Sequence, residues 1–318
     1  NEVILTGTFL ENELIRSLKA NKNFHPALKI NLPKQLIIER HDNLSKIIDN
    51  GVDVIVAGIS SIGIEWFANE ISKFYKNKTS IIILTKGLAV EDDQLITLSE
   101  KLENILKKNG HKSADISSVK GPCLATGLAH KMRTGTVIAN QNLKQAQKIQ
   151  KLISTEYYKS EITDDISGVE FSAAIKNIYS MLIGAAEGLS NPSAPAEIQE
   201  KFYLNTSASL VHRSISEMVE FVSYYSGRVE TVYGLAGLGD LHVSVAGGRN
   251  SLMGKYLGQG YLYKDAKENF MKEITVEGAQ LAFEIEPKIM KNFKEKQFPL
   301  MFSILKCICY NKKLEINW

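Results

Sequence analysis

The chain has 318 residues, of which 44% are apolar and 23% charged, with a formal net charge of +3 at pH 7. That length accommodates one large or two medium domains with ample chain to bury a core. The composition is ordinary for a globular protein rather than a disordered or fibrous one, and so small a charge excess does not suggest a partner nucleic acid.

Taken in chain order, the first half alternates short β-branched runs with amphipathic stretches, the signature of βαβ units on a parallel sheet. Strands are predicted at Val3–Thr6, Leu36–Glu39, Asp53–Gly58, Ser80–Thr85, Ile116–Lys120 and Thr134–Ala139. Helices are predicted between them at Glu11–Ala20, Leu44–Asn50, Ile62–Tyr75, Glu91–Asn109, Cys123–Met132 and Leu143–Ile153. Asp53–Gly58 and Ser80–Thr85 are almost continuously apolar, as expected of strands covered by helices on both faces. From Asp165 the period becomes helical, with segments at Ile166–Leu189, Glu197–Tyr225, Ser251–Leu257, Tyr263–Phe270, Gly278–Glu286 and Pro299–Tyr310. Loops are predicted at Ser190–Pro195 and around Gly234–Asn250.

The fold class that follows is α/β: a Rossmann-like doubly wound parallel sheet, then an all-α domain. Residues 1–163 form the dinucleotide-binding part and residues 164–318 the helical substrate part, with the boundary near Ile162–Asp165. Such a pairing delivers a cofactor to a cleft lined by the second domain. A dinucleotide fold should open with a strand, a Gly-rich turn and a helix. No such motif stands near the start of this sequence; Gly237-Leu-Gly239 begins like one, but His242 occupies the third glycine position and the context is a loop in the helical half. Val3–Thr6 reads as the second strand of the fold, so the first strand and its turn are expected outside the chain as given, the other reading being a protein that has lost the turn.

No apolar run reaches the ~20 residues needed to span a bilayer; Glu170, Lys176 and Glu187 interrupt the longest candidate. The first residues lack the basic start and cleavage site of a secretory signal. Three cysteines, Cys123, Cys307 and Cys309, give no disulfide framework. Cys307 and Cys309 sit in an apolar stretch without a His or Cys cluster beside them and read as buried small hydrophobes, so a metal site is unsupported. The expected location is cytoplasmic.

Between Glu170 and Glu187, Lys176 is the only side chain charged at neutral pH. A helix apolar on nearly all faces is a buried helix, and an ammonium inside one is costly unless it is paired or deprotonated. Lys176 either snorkels to water or closes a structural ion pair, or it exchanges protons, as buried lysines with lowered pKa do. A second signal is the stretch Gly234–Asn250, with five glycines, one aspartate and one arginine. Glycine at that density marks tight turns or close approach to a ligand. Gly247-Gly248-Arg249-Asn250 leading into a helix combines backbone N–H groups, a helix N-terminus and a guanidinium, an arrangement suited to phosphate; an ordinary interhelical loop with a solvated Arg249 is the other reading.

Gly234–Leu241, followed by Gly248-Arg249-Asn250 and then Gly254, Leu257, Gly258 and Gly260, resembles the signature of NAD(P)-dependent glycerol-3-phosphate dehydrogenases. Gly168–Ile178 is similar to that family's Gly-Val-Glu…Leu-Lys-Asn segment. Thr85-Lys86-Gly87 after a strand, Gly121-Pro122 before a helix, and Val276-Glu277-Gly278 are further matches, making five blocks in the family's order. The resemblance implies hydride transfer between NAD or NADP and dihydroxyacetone phosphate, giving sn-glycerol 3-phosphate. It implies Lys176 as proton donor and acceptor, Asp240 as the carboxylate that orients its ammonium, and Lys86 as a second catalytic lysine contacting substrate and cofactor. Asn177, Gly121, Cys123, Ser244, Gly248, Arg249 and Asn250 are implied on the substrate side, with Arg249 and Asn250 as the phosphate clamp. Ala125, Arg249 and Glu277 are implied on the cofactor side.

Two departures bear on these roles. Cys123 stands where the family usually has a small hydroxyl residue, which weakens one substrate hydrogen bond, and Ser244 replaces a frequent threonine. Neither an acid nor an arginine closes Val3–Thr6 clearly, so the choice between NAD and NADP stays open, as does pairing into a homodimer. Two other functions also stay open: a related two-domain reductase of another phosphorylated polyol or 2-keto compound, and a non-catalytic descendant without the cofactor turn.

Overall fold

The isoleucine-rich run after Thr79 lies at the heart of a five-stranded sheet, where Ile81, Ile82 and Ile83 are all buried. The computed structural model describes residues 2–76, 79–189 and 196–316; the predicted loop at Ser190–Pro195 lies outside them. The first half runs β1 (Ile4–Thr6), α1 (Asn12–Ala20), a short hairpin of β2 (Phe24–His25) and β3 (Ile30–Asn31), β4 (Ile37–Glu39), α2 (Leu44–Asp49), β5 (Val54–Ala57) and α3 (Ile64–Ser72). It continues with β6 (Ser80–Ile83), β7 (Leu88–Glu91), β8 (Gln94–Thr97), α4 (Leu98–Lys108), β9 (Asp115–Lys120), α5 (Ala125–Ala129), β10 (Thr134–Ala139), α6 (Leu143–Ile153) and β11 (Tyr158–Thr163).

The main sheet has the order β11-β10-β9-β6-β5 and is parallel except between β9 and β10. The expected α/β architecture is therefore present, with one reversed pairing. β1 pairs in parallel with β4, Ile4 opposite Ile37, as a separate two-stranded sheet. That small sheet leans on α3 through Trp66, against which Phe9 packs edge-on at 5.6 Å and His41 at a tilt, also at 5.6 Å.

Three differences from the predicted elements are evident, the first two with identifiable causes. The helix predicted over Glu91–Asn109 starts only at Leu98, because β7 and β8 form an antiparallel hairpin whose turn residues Asp92 and Asp93 take φ values of 47° and 63°. Two successive positive φ values match the twist of a two-residue hairpin turn, a conformation Asp tolerates. Thr97 then ends the hairpin and caps α4, its hydroxyl accepting from Glu100 N at 3.1 Å. β11 carries charge on alternate residues and gave no apolar run to detect, yet it forms the sheet edge beside β10. The helix predicted over Cys123–Met132 shrinks to the five residues of α5.

The second half is helical: α7 (Ile166–Leu189), α8 (Ala196–Tyr224), α9 (Val229–Tyr233), a π-helical turn at Leu235–Gly239, α10 (Asp240–Val245), α11 (Arg249–Gly258), α12 (Tyr263–Phe270), α13 (Glu277–Asn292) and α14 (Pro299–Cys309). The stretch around Gly234–Asn250 is thus not an open loop: Asp240 begins α10 and Arg249 begins α11. α13 runs six residues beyond the predicted Glu286, through Pro287, to Asn292. Among the described residues no helix is long and apolar enough to cross a membrane.

α7 is the axis of this half, buried on every face from Gly168 to Ala186. Its start is fixed by buried Asp165, which accepts from Gly168 N at 2.8 Å, Arg228 N at 2.9 Å and the Thr231 hydroxyl at 2.6 Å. α8, α10, α11, α13 and α14 pack around it. Against α11 the contact is backbone to backbone: a Cβ on Gly254 would stand 1.8 Å from Met181 O, and one on Gly258 would stand 2.2 Å from Ala185 O. This close approach brings the first turn of α11 beside Lys176 and Asn177. The hairpin reaches across from the sheet, its tip Asp93 ion-paired with Lys288 and Lys291 of α13.

Because Met181 O is backbone and cannot swing aside, Gly254→Ala should lower unfolding free energy by about 2–3 kcal/mol or more. Urea denaturation followed by circular dichroism measures this, and a midpoint equal to that of the unmodified protein would contradict the packing described.

Candidate active site

The carboxyl ends of β5 and β6 face α7, α10 and α11 across a cavity of about 690 Å³. In parallel α/β sheets such crevices hold ligands. The connection after β5 contributes Ser60 and Ser61, that after β6 contributes Lys86, and that after β9 contributes Cys123, with Lys176, Asp240 and Arg249 arriving from the helices.

At the base of the cavity two lysines share one carboxylate. Lys176, 4% exposed, donates from Nζ to Asp240 Oδ1 at 2.9 Å and also to the Ser244 hydroxyl. Lys86 Nζ lies 2.5 Å from Asp240 Oδ2 and 3.5 Å from Gly121 O. Oδ2 accepts no aligned hydrogen bond among the described residues, so the Lys86 contact is a charge pair and the carboxylate depends on it for compensation. Asp240 itself is 3% exposed and sits at the start of α10, directly after the π-helical turn. Burial and, after it, the nearby Lys86 charge lower the Lys176 pKa while Asp240 raises it, and the balance stands at about 8. An amine with that value gains and loses a proton close to neutrality, which suits proton transfer.

Beside this cluster, Asn250 at the start of α11 is buried; its amide donates to Asn177 Oδ1 at 3.1 Å and its Oδ1 accepts from Gly278 N at 2.9 Å. Asn177 follows Lys176 in α7, so this bridge locks α7, α11 and α13 together at the edge of the cavity. Arg249 points outward, its guanidinium 2.5 Å from Glu277 Oε1 in an exposed ion pair. Gly248, extended at φ −75° and ψ 159°, precedes α11 and lines the cavity. The first-turn N–H groups of a helix have no intrahelical acceptors, and Gly248, Arg249 and Asn250 at the start of α11 all line the cavity.

Of the residues singled out in the sequence, Lys86, Cys123, Lys176, Asn177, Asp240, Ser244, Gly248, Arg249, Asn250 and Glu277 all line this one cavity. Gly121 stands behind Lys86 as its carbonyl partner, in a left-handed conformation with φ 136°, and Ala125 begins α5 outside the lining residues. Cys123 is half-buried, which raises its thiol pKa and keeps it protonated. Sequence reasoning passed over Lys120, the last residue of β9. It is 2% exposed, donates to Ile83 O at 3.1 Å and to the Ser118 hydroxyl at 2.6 Å, and burial lowers its pKa to about 8. The available signal was a lone lysine closing an apolar strand at its carboxyl end, next to Gly121.

The residues present fit the nicotinamide end of a dinucleotide. Leu84 and Leu124, 44% and 63% exposed, offer apolar surface to the cavity beside the hydroxyls of Ser60 and Ser61. At Gly58, just past β5, an added Cβ would meet nothing within 4 Å, leaving room for close approach to the backbone.

Residues 8–146 match the family described as NAD-dependent glycerol-3-phosphate dehydrogenase N-terminus, and residues 165–316 match its C-terminus. The chain is 29% identical to an NADP(+)-dependent glycerol-3-phosphate dehydrogenase of Archaeoglobus fulgidus, over 99% of this chain and 90% of that protein. It is 30% identical to a glycerol-3-phosphate dehydrogenase [NAD(P)+] of Clostridium botulinum, over 79% of this chain and 71% of the relative. The fold matches a crystal structure of glycerol-3-phosphate dehydrogenase from Coxiella burnetii with a TM-score of 0.80, at 24% identity, covering 98% of this chain and 88% of that one.

Since Asp240 is what holds the charge on Lys176, Asp240→Asn should move the titration of that amine below its value of about 8. Nuclear magnetic resonance of ε-13C-labelled lysine, with Lys176 assigned by Lys176→Met, reads the midpoint directly. A midpoint near that of a free lysine in the unmodified protein, or an upward move in Asp240→Asn, would sink this account of the cluster.

Proposed function

The chain belongs to the NAD(P)-dependent glycerol-3-phosphate dehydrogenase family, and from that premise we propose that it reduces dihydroxyacetone phosphate to sn-glycerol 3-phosphate with Lys176 as the proton donor. The observation that carries this reading is that one cavity is lined both by a buried, pKa-lowered lysine and by the arginine-led N-terminus of α11.

The substrate phosphate meets Arg249, Gly248 and the first-turn amides of α11, and the guanidinium leaves Glu277 to pair with it. That remote anchor fixes the carbonyl near Lys176, so binding energy is used to orient the reacting carbon. Bound NADH or NADPH supplies the hydride. As negative charge grows on the carbonyl oxygen, the Lys176 ammonium donates a proton to it, and Asp240 stabilises the ammonium before transfer. Lys86 keeps the site cationic once Lys176 has become a neutral amine, which offsets the charge of Asp240. Asn177, braced by Asn250, holds the substrate hydroxyl side of the cavity. In the reverse direction the neutral amine accepts the hydroxyl proton. Glu277 and Ala125 belong to the cofactor side, and Cys123 leaves the substrate with a weaker partner than a hydroxyl would. In this reading residues 1–163 present the cofactor and residues 164–318 the substrate. The three free thiols support a reducing, cytoplasmic setting.

Lys176→Ala should cut the turnover number for NADH- or NADPH-dependent reduction of dihydroxyacetone phosphate by about 10²- to 10⁴-fold, with the fold retained by circular dichroism. The same assay across pH tests the proton's direction. Reduction needs the ammonium and so declines as pH rises through about 8, whereas oxidation of glycerol 3-phosphate needs the amine and rises through the same midpoint. A full rate in Lys176→Ala would refute the assignment.

A further inference from the structure

Beneath the proposed catalytic cluster lies a third lysine that has no carboxylate in ion-pair range among the described residues. Lys120 closes β9, and its amine is tied to Ile83 O, the last carbonyl of β6, and to the Ser118 hydroxyl on its own strand. Lys86 comes three residues after Ile83, and Gly121, whose carbonyl meets the Lys86 ammonium, comes directly after Lys120. The same side chain therefore spans the two strand ends from which both halves of the Lys86–Gly121 contact emerge. The charged groups that reach it are Glu170 of α7, Lys86, and Asp240 of α10, while the neighbouring strands β6 and β10 contain no titratable residue. Glu170 is itself engaged by Ser99 at the start of α4.

We propose that Lys120 is a positioning residue of the reduction: by bridging the carboxyl ends of β6 and β9 it sets where Lys86 stands, and its charge competes with those of Lys86 and Lys176 for Asp240. A side chain that only filled space would leave the substrate affinity and the pH profile alone. The lowered pKa of Lys120 agrees with a cation held in this crowded, water-poor layer. The proposal rests on the reading of the cavity as a dihydroxyacetone phosphate reductase.

Two variants separate tether from charge. Lys120→Met removes both, and Lys120→Gln keeps a donor while removing the charge. Loss of the tether should raise KM for dihydroxyacetone phosphate about fivefold or more, with kcat changed less than about twofold, and Lys120→Gln should recover most of the KM. In both variants the alkaline limb of the reduction profile should move to higher pH, because one cation fewer competes for Asp240. Unchanged KM and an unchanged limb in Lys120→Met overturn the proposal. So does a loss of activity that follows a fall in melting temperature and is not recovered in Lys120→Gln. The unmodified chain in the same assay keeps the two ideas apart: its failure to turn over the substrate removes the functional reading and this inference together, whereas normal turnover with an indifferent Lys120→Met removes this inference alone.

Discussion

The constraint on which the site depends is the burial of Asp240 between two ammonium groups. A carboxylate 3% exposed to solvent and a lysine 4% exposed are tolerable only together, since removing one partner of such a pair leaves an uncompensated charge at a cost of about 3–5 kcal/mol. This pairing limits how far burial depresses the affinity of Lys176 for its proton. Desolvation alone would strip the charge, Asp240 alone would fix it, and the opposition of the two leaves an amine poised near pH 8. It also ties the halves of the chain together, because Lys86 arrives from the sheet and Asp240 and Lys176 from the helices.

The geometry that holds this balance is built by close helix packing. α7 carries Lys176 and Asn177, and α11 carries Arg249 and Asn250. Gly254 and Gly258 let these helices touch along their main chains, where a single methyl group would collide with a carbonyl. The Asn250 amide group, shared between Asn177 and Gly278, then pins the third helix, α13, to the other two. Backbone contacts and a doubly used amide leave little freedom for the groups above them, which is what orientation of a small substrate demands.

Much of this was legible in the amino-acid order. The lone lysine in an apolar segment announced a buried charge, and the glycine-rich stretch announced close approach, because both features carry energetic penalties that a chain does not bear idly. The helical periods of α7, α13 and α14 and the apolar runs of β5 and β6 were plain for the same reason: burial imposes its period. What escaped detection was governed by other forces. β11 alternates charged and neutral residues at a sheet edge, so no apolar run marks it. The β7–β8 hairpin depends on two aspartates adopting left-handed turns, a signal weaker than the usual Asn-Gly. The helix beginning at Asp240 was hidden because a π-helical turn rich in glycine leads into it. Lys120 was missed because its burial comes from tertiary packing above a strand end, which local patterning does not report.

The exposed pair between Arg249 and Glu277 has its own consequence. Solvent-exposed ion pairs contribute only about 0.2–1 kcal/mol, so the guanidinium is held in reserve rather than locked. An anion that takes the guanidinium nitrogen now facing Glu277 does so by ion exchange, displacing a singly charged carboxylate. A doubly charged guest wins that exchange readily, while a neutral or singly charged analogue gains little by it. Under the proposed role of Arg249, valence therefore bears on which anion displaces Glu277.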